Sequence, residues 1–298
     1  MKQSDLTYIS PISHWVRLAC LLEAGARKPG NVHPEASFED LTHADMVHSA
    51  HLVAPVFDHA EARGVGATVL DAVTLTQREV GKNSNLGIIL LLAPLCAVPL
   101  DVPVFEGIDR VLDNLTIEDA RQVYEAIRIA NPGGLGRADE QDICDEPTVT
   151  LKEAMCLAKD RDNIARQYAN GFDDVLHFGL EQLSQELGFV DRWENAIIRL
   201  QLKLMSHVPD SLIARKCGHS VAYEAGLRAR TVLETDWPDY DITWELLQEF
   251  DDWLRADGHN RNPGATADLI VACLYAGFRE GIITPPPEEN LPGHRTFD

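Results

Sequence analysis

The chain has 298 residues, with 26 Lys and Arg against 47 Asp and Glu, and therefore a formal net charge of −21 at pH 7. Because nucleic acids and anionic membrane surfaces bind basic proteins, this charge excludes DNA and RNA as partners and disfavours such membranes. Hydrophobic residues make up 45% of the chain and charged residues 24%, which excludes a disordered protein and predicts a globular one with a sizeable core.

Apolar residues recur at helical spacing along almost the whole chain, for example Leu176, Leu180, Leu183 and Leu187. A Thr followed three residues later by an acid, at 116–119 and at 150–153, indicates two helix starts. These signals predict an all-α protein, a single large bundle of about ten helices or slightly more. The predicted helices lie near 13–26, 41–63, 66–80, 86–97, 116–130, 150–169, 172–187, 191–206, 210–233, 241–257 and 264–280.

No change in composition marks a domain boundary, so residues 1–283 are expected to form one all-helical domain and residues 284–298 a loose tail. The longest irregular stretch, 131–148, is either a linker or a functional loop. The apolar segment 86–97 is either core or a dimer contact, which leaves a homodimer open.

The six cysteines are scattered, and no two have the C-x₂-C spacing of a zinc site or a redox pair. This pattern favours free thiols in a reducing compartment. The first residues contain no apolar run of signal-peptide length, and the most apolar stretch, 87–100, contains two prolines and is too short to span a bilayer. We therefore expect a cytoplasmic protein.

Three polar, glycine-containing segments interrupt the helices: 27–31 (RKPGN), 81–87 (GKNSNLG) and 262–268 (NPGATAD). Glycine and small residues at a helix start leave backbone N–H groups accessible, which suits a phosphate. Lysine, arginine and asparagine side chains in these segments add charge and hydrogen-bond donors. Taken one at a time, each segment is more often an ordinary helix cap than a binding loop.

A fourth segment, 207–216 (HVPDSLIARK), joins an N-cap aspartate to a basic pair one turn later. The histidines between 33 and 59 invite a metal hypothesis, because His48 and His51 share one helix face with Asp45. In a chain with 11 histidines, ordinary partly exposed side chains are the favoured interpretation.

In these segments the chain resembles the triphosphoribosyl-dephospho-CoA synthase family, in order over most of its length. Glu23 followed by 28–32 (KPGNV) is similar to the family's first motif, and Asp45 with the next methionine to its second. Segment 81–87 resembles G-x-N-T-H-K-G, and segment 262–269 resembles S-P-G-G-S-A-D-L. Asp210 with the following serine is similar to a later Asp-Thr pair.

The resemblance implies an all-helical transferase that attaches the triphosphoribosyl group of ATP to dephospho-CoA, or a related acceptor, and releases adenine. It implies nucleotide substrates, with ATP as a substrate and Mg²⁺ as a cofactor. The implied catalytic residues are Glu23, Asp45, Asp210 and Asp268, of which Asp45 and Asp210 are also the implied metal ligands. The implied substrate- and phosphate-binding residues are Lys28, Gly30, Asn31, Lys82, Asn83, Asn85, Gly87, Arg215, Asn262 and Gly264.

One departure bears on the reaction: Asn85 and Leu86 stand where the family's motif has a His-Lys pair. Loss of a basic pair beside an expected triphosphate opens two alternatives. One is a divergent member acting in the biosynthesis of a one-carbon carrier of the methanopterin or methanofuran type, a branch that segment 131–136 (NPGGLG) also resembles. The other is a non-catalytic nucleotide-binding protein.

Overall fold

A computed structural model describes residues 10–133, 140–189, 193–235, 237–238 and 241–287. These residues form α-helices and no β-strand, so the all-α prediction is confirmed. The helices are α1 (Pro11–Gly25), α2 (His43–Val53), α3 (Ala60–Arg63), α4 (Val65–Glu79), α5 (Leu86–Ala97), α6 (Val104–Asp113), α7 (Ile117–Ala130), α8 (Leu151–Ala158), α9 (Asn163–Asn170), α10 (Leu180–Phe189), α11 (Trp193–His207), α12 (Ser211–Cys217), α13 (His219–Leu233), α14 (Asp241–Arg255) and α15 (Gly264–Arg279).

The helices outnumber the prediction chiefly because the chain breaks three predicted segments. A 3₁₀ turn at Ala54–His59 separates α2 from α3. Asp162 caps α9, since its Oδ1 accepts from the backbone N–H groups of Ile164 and Ala165, and this separates α9 from α8. Gly218, with φ of 94°, separates α12 from α13 in a conformation that few other residues adopt.

Helix α6 is absent from the prediction, although its sequence carries the signal for it. Val104, Ile108 and Leu112 are spaced four residues apart and all three are buried. Pro103 at the N-cap fixes the start of the helix. Two prolines, at 99 and 103, lie near this start, and composition alone therefore predicts a loop here.

Helices α5 and α15 lie at the centre of the bundle and pack against each other. Every residue of α5 from Ile88 to Cys96 is buried, and so is every residue of α15 from Leu269 to Phe278. The apolar segment near 86–97 is therefore core of this chain. Burial of both helices on all sides fixes their N-terminal ends, which adjoin one another at the edge of the core.

Helix α11 divides the core into two clusters. Ile197 and Leu200 pack into the large cluster around α5 and α15, whereas Ile198 and Leu202 pack into a smaller one with α13 and α14. All six cysteines are free, as predicted. Within the described ranges, no helix is long and apolar enough to cross a membrane. Residues 134–139 of the irregular segment and residues 288–298 of the expected tail lie outside the described residues.

Candidate active site

A cleft with a volume of about 830 Å³ opens where four helices begin. Leu86 of α5, Ile164 of α9, Leu212 of α12 and Gly264 of α15 all line it. The first N–H groups of a helix have no partner inside the helix and carry the positive end of its dipole. Aspartates cap α9 and α12, but the N-cap residues of α5 and α15 provide no side-chain cap. Other side chains take one N–H group at each of these two ends, since Asn83 Oδ1 accepts from Leu86 and Asp210 Oδ2 accepts from Thr266. The rest of each first turn is suited to an anion.

The carboxylate of Asp268, in the first turns of α15, lies directly against the N-terminal turn of α5. An ideal Cβ on Gly87 would lie 1.9 Å from Asp268 Oδ2, so only a glycine at position 87 leaves room for the carboxylate. The carboxylate has no hydrogen bond or ion pair with the described residues, and it lines the cleft. Asp268 is thus an acid held in place by packing, with its oxygens free for a ligand.

Burial raises the pKa of Asp268 well above its usual range, and the negative charges of Glu23, Asp210 and Asp162 raise it further. Arg215 acts in the opposite direction. The carboxylate therefore takes up a proton at a higher pH than an exposed aspartate does. A cation or a proton donor bound in the cleft would relieve the same repulsion.

Glu23 and Lys28 form an ion pair that is buried from solvent, with 2.9 Å between Lys28 Nζ and Glu23 Oε1 and side-chain exposures of 0% and 1%. The same ammonium donates to the main-chain carbonyl oxygens of Glu23 and Ala26. The second carboxylate oxygen of Glu23 has no hydrogen-bond partner among the described residues. The pair lies outside the cleft lining and acts on it through the charge of Glu23 on Asp268.

Asp210 ties the start of α12 to the start of α15. Its Oδ1 accepts from the N–H groups of Leu212 and Ile213, at 2.9 and 3.0 Å. Its Oδ2 accepts from the N–H and the hydroxyl of Thr266, both at 2.7 Å. Burial raises the pKa of Asp210, while these hydrogen bonds oppose the rise. Because each oxygen already has two partners, the carboxylate positions two cleft-lining helix ends.

The segment from 81 to 87 forms another wall of the cleft. Lys82 Nζ lies 2.8 Å from Asp45 Oδ2, an ion pair that lowers the pKa of Asp45. Asp45 also completes the capping box of α2, where it accepts from Thr42. Asn85 is 7% exposed, and its Nδ2 has no partner in the described part of the chain. A buried amide donor that lines a cleft is suited to a ligand oxygen.

Arg215 and Lys216 supply positive charge to the opposite wall. Arg215 Nη1 lies 3.3 Å from Asp162 Oδ2, while its buried Nε has no hydrogen-bond partner among the residues described. Lys216 donates to the carbonyl oxygen of His259 at 3.4 Å, and burial lowers its pKa. Both cations lie in the cleft with part of their hydrogen-bonding capacity unused.

The first glycine segment has a structural part in this fold. Gly30 adopts φ of 73° and lies so close to Leu254 that a Cβ would come within 2.8 Å of it. Asn31, 4% exposed, donates to Asn262 Oδ1 at 2.6 Å and accepts from Gln201 at 2.8 Å. Through Asn262, this segment supports the loop that precedes α15.

Eight of the residues selected from the sequence line the cleft together: Lys82, Asn83, Asn85, Gly87, Arg215, Asn262, Gly264 and Asp268. The structure places the other six outside its lining: Glu23, Lys28, Gly30, Asn31, Asp45 and Asp210. Sequence reasoning did not select Asp162 or Lys216. Lys216 could have been found from the sequence, because it directly follows Arg215. Asp162 shows only a helix-capping pattern in the sequence, and such a pattern does not indicate a cleft.

Within the described residues, no group of three or more His, Cys, Asp or Glu side chains is arranged to hold a metal ion. This includes the histidines between 33 and 59. A magnesium ion that accompanies a nucleotide needs only one or two protein carboxylates, because phosphate oxygens and water supply the rest. Two acids line the cleft near Arg215. Asp268 has no hydrogen-bond partner among the described residues, whereas Asp162 already accepts from two N–H groups of α9 through Oδ1 and from Arg215 through Oδ2.

These features define the class: an all-helical protein whose cleft suits a phosphorylated ligand. The sequence pattern of the ATP:dephospho-CoA triphosphoribosyl transferase (CitG) family matches residues 9–283. The chain belongs to this family and is a transferase of the triphosphoribosyl-dephospho-CoA synthase type.

A solved structure supports the same assignment. The crystal structure of a proposed triphosphoribosyl-dephospho-CoA synthase from Archaeoglobus fulgidus superposes with a TM-score of 0.62 and 29% sequence identity. The match covers 80% of this chain and 100% of that chain. A comparison with curated proteins finds no match.

Proposed function

We propose that this chain transfers the triphosphoribosyl group of ATP to dephospho-CoA, with release of adenine, in the cleft between α5, α9, α12 and α15. Family membership supports the reaction. The unpartnered carboxylate of Asp268 is the observation that supports the place, because it lines the cleft against the first turn of α5 and has no hydrogen-bond partner among the described residues.

In this reaction a hydroxyl oxygen of the acceptor forms a bond to the anomeric carbon of the ATP ribose, and the bond from that carbon to adenine breaks. The hydroxyl proton leaves, and the departing adenine takes up a proton. The anomeric carbon becomes oxocarbenium-like, so a carboxylate beside it stabilises the transition state. We assign Asp268 as the base for the hydroxyl, because its oxygens have no partner among the described residues and its raised pKa makes the carboxylate a stronger base than an exposed aspartate.

The triphosphate carries about four negative charges and needs donors that are already in place. We propose that it lies between Lys82 on one wall and Arg215 and Lys216 on the other, with the N-terminal end of α15 beneath it. Asn85 then donates its free amide N–H to a ribose or phosphate oxygen. Lys28 supports this arrangement indirectly, through its ion pair with Glu23.

We propose that Asp162 is the acid nearest a nucleotide-bound Mg²⁺ and would reach it through water, because its own oxygens already bind the start of α9 and Arg215. When bound, Mg²⁺ neutralises phosphate charge. Asp45 already binds Thr42 and Lys82 through Oδ2, and both oxygens of Asp210 already accept hydrogen bonds at two helix starts. The part of these two acids is therefore to hold the walls.

The replacement of the family's basic pair by Asn85 and Leu86 favours a second candidate, transfer to a related acceptor in one-carbon carrier biosynthesis. Both residues line the cleft and leave this wall without the two basic side chains of the motif. Adenine release from ATP with an acceptor other than dephospho-CoA, and not with dephospho-CoA, would establish this candidate.

The test is to incubate the chain with ATP, Mg²⁺ and dephospho-CoA and to quantify adenine by mass spectrometry. Asp268→Asn should slow adenine release by about 10²- to 10⁴-fold, the usual contribution of general base catalysis. The matched control is Asp252→Asn, on the exposed face of α14 and outside the cleft lining, which should leave the rate unchanged. Wild-type rates in Asp268→Asn would refute its assignment, and no adenine release with any acceptor would refute the transferase reaction.

A further inference from the structure

A second, smaller cavity adjoins the cleft. This side chamber has a volume of about 300 Å³ and lies between α7, α8, α9 and residues 140–143. Asp162 and Arg215 line both the side chamber and the cleft, so the two spaces meet at their ion pair. The buried Nε of Arg215, which lacks a hydrogen-bond partner in the described part of the chain, lies at this junction.

The walls of the side chamber are mostly apolar, with polar groups at one edge formed by residues 140–143. Further polar side chains of the lining are those of Arg161, Asp162, Arg215 and His219. Val123, Ala154, Met155 and Ile164 supply apolar walls from three helices. Residues 140–143 close the edge, where the carboxylates of Glu140 and Asp142 provide acceptors and the main chain provides N–H donors. Apolar walls with a few polar groups at one edge are typical of sites for small flat ligands.

The polar edge is held in place by hydrogen bonds from two sides. The Tyr124 hydroxyl donates to the carbonyl oxygen of Gln141 at 2.7 Å, and Arg128 donates to that of Ile143 at 2.6 Å. The side chain of Gln141 also makes two hydrogen bonds with Thr148, at 2.8 and 3.1 Å. Because these hydrogen bonds fix the edge before any ligand arrives, the chain loses little conformational entropy when a ligand binds there.

We propose that the side chamber binds an adenine base, with the sugar at the Asp162–Arg215 junction and the phosphates in the cleft. This inference rests on the proposed function, which places the triphosphate in the cleft. An adenine ring has two apolar faces and a rim of donors and acceptors, which matches the apolar walls and polar edge. The chamber, at the lower end of the usual range of ligand pockets, holds a base better than a whole nucleotide.

Two ligands of this reaction carry adenine, the donor ATP and the acceptor dephospho-CoA, and binding measurements separate them. Ala154→Phe fills the chamber from α8, and Leu157→Phe on the exposed face of the same helix is the matched control. We expect Ala154→Phe to weaken ATP binding at least about tenfold by calorimetry and to leave inorganic triphosphate binding unchanged. A loss confined to dephospho-CoA would assign the base to the acceptor instead.

Photolabelling of the wild-type chain with 2-azido-ATP gives a test that needs no substitution. We expect the label on peptides of α7 and α8. Label confined to peptides 38–41 and 83–87 of the cleft would overturn the proposal, as would Ala154→Phe binding ATP and dephospho-CoA as tightly as wild type. Weakened binding of 4′-phosphopantetheine, which has no base, would overturn it too.

The two proposals fail separately. If Ala154→Phe weakens ATP binding but the wild-type chain releases no adenine, the transferase reaction is wrong and the adenine site stands. If adenine is released normally and the label avoids the side chamber, the reaction stands and the adenine site is wrong.

Discussion

Replacing Gly87 by alanine is expected to remove most activity and to leave the fold intact. The new Cβ would lie 1.9 Å from Asp268 Oδ2 and 2.6 Å from its Cγ, whereas ordinary contact begins at 3.4 Å. The carboxylate must therefore move by roughly 1.5 Å. A displacement of about 1 Å costs a reaction about 10²-fold, so kcat/KM should fall at least about a hundredfold, or about 2.7 kcal/mol of transition-state stabilisation.

Stability should respond differently to the same methyl group. Alanine is favoured over glycine in a helix by about 1 kcal/mol at most, and Asp268 has no hydrogen bond to the described residues that its movement would break. The free energy of unfolding in urea is therefore expected to change by less than about 1 kcal/mol. Activity and stability are thus separated by one substitution.

The assay is adenine release, measured alongside urea unfolding. In the Asp268→Asn background, Gly87→Ala should slow the reaction no further, because both changes remove the same positioned carboxylate. Gly133→Ala is the control, since this glycine also lines the cleft and no atom of the described residues lies within 4 Å of an added Cβ. A Gly87→Ala enzyme with wild-type kcat/KM would refute the reasoning, and so would equal losses for Gly133→Ala.

Three further predictions concern the buried charges. Asp210→Ala removes a helix cap and leaves both donors of Thr266 buried without an acceptor, so the free energy of unfolding in urea should fall by about 3 kcal/mol. Lys28→Met leaves the charge of Glu23 buried and unpaired, which should cost about 3–5 kcal/mol in the same measurement, and adding Glu23→Gln should restore part of it. Asp268 has a raised pKa in the folded state, so at pH values above the usual aspartate range the folded chain binds more protons than the unfolded chain. The protonated Asp268 therefore favours the folded state at low pH, and this contribution to stability is lost as pH rises. Asp268→Asn should therefore raise the midpoint of thermal unfolding more at pH 8 than at pH 4.

Each of these predictions has an outcome that contradicts it. An Asp210→Ala chain as stable as wild type would mean that Thr266 finds another acceptor. If the Lys28→Met and Glu23→Gln changes add without coupling, the buried pair has no mutual stabilisation. A shift of the unfolding midpoint in Asp268→Asn that is the same at both pH values would show that this carboxylate keeps an ordinary pKa in the fold.

Local sequence signals predicted the helix starts well where the sequence contains a capping motif. The capping boxes of α7 and α8 occur as predicted, with Thr116 and Asp119 in one and Thr150 and Glu153 in the other. The breaks inside the predicted segments were harder to foresee. Gly218 ends α12 through its positive φ, and a lone glycine inside an apolar period does not show whether it ends a helix or continues it.

The cleft was predictable only in part, for a physical reason. Asn85, Gly87 and Asp268 come together because α5 and α15 are buried side by side, and their motifs occupy the ends of those helices. Lys28 is a basic residue two positions before a glycine, as a phosphate ligand could be, yet its ammonium forms an ion pair with buried Glu23. Sequence alone does not distinguish an ammonium that pairs inside the core from one that faces a ligand.

The N-terminal ends of α5 and α15 at the cleft have a kinetic consequence in so acidic a chain. Helix dipoles act within about one turn, whereas a net charge of −21 extends over the Debye length, about 8 Å at physiological ionic strength. An approaching ATP molecule is therefore repelled at long range before it is attracted at contact. Added salt should accelerate ATP association by screening the repulsion, the opposite of the salt effect on an enzyme that steers its anionic substrate with surface lysines.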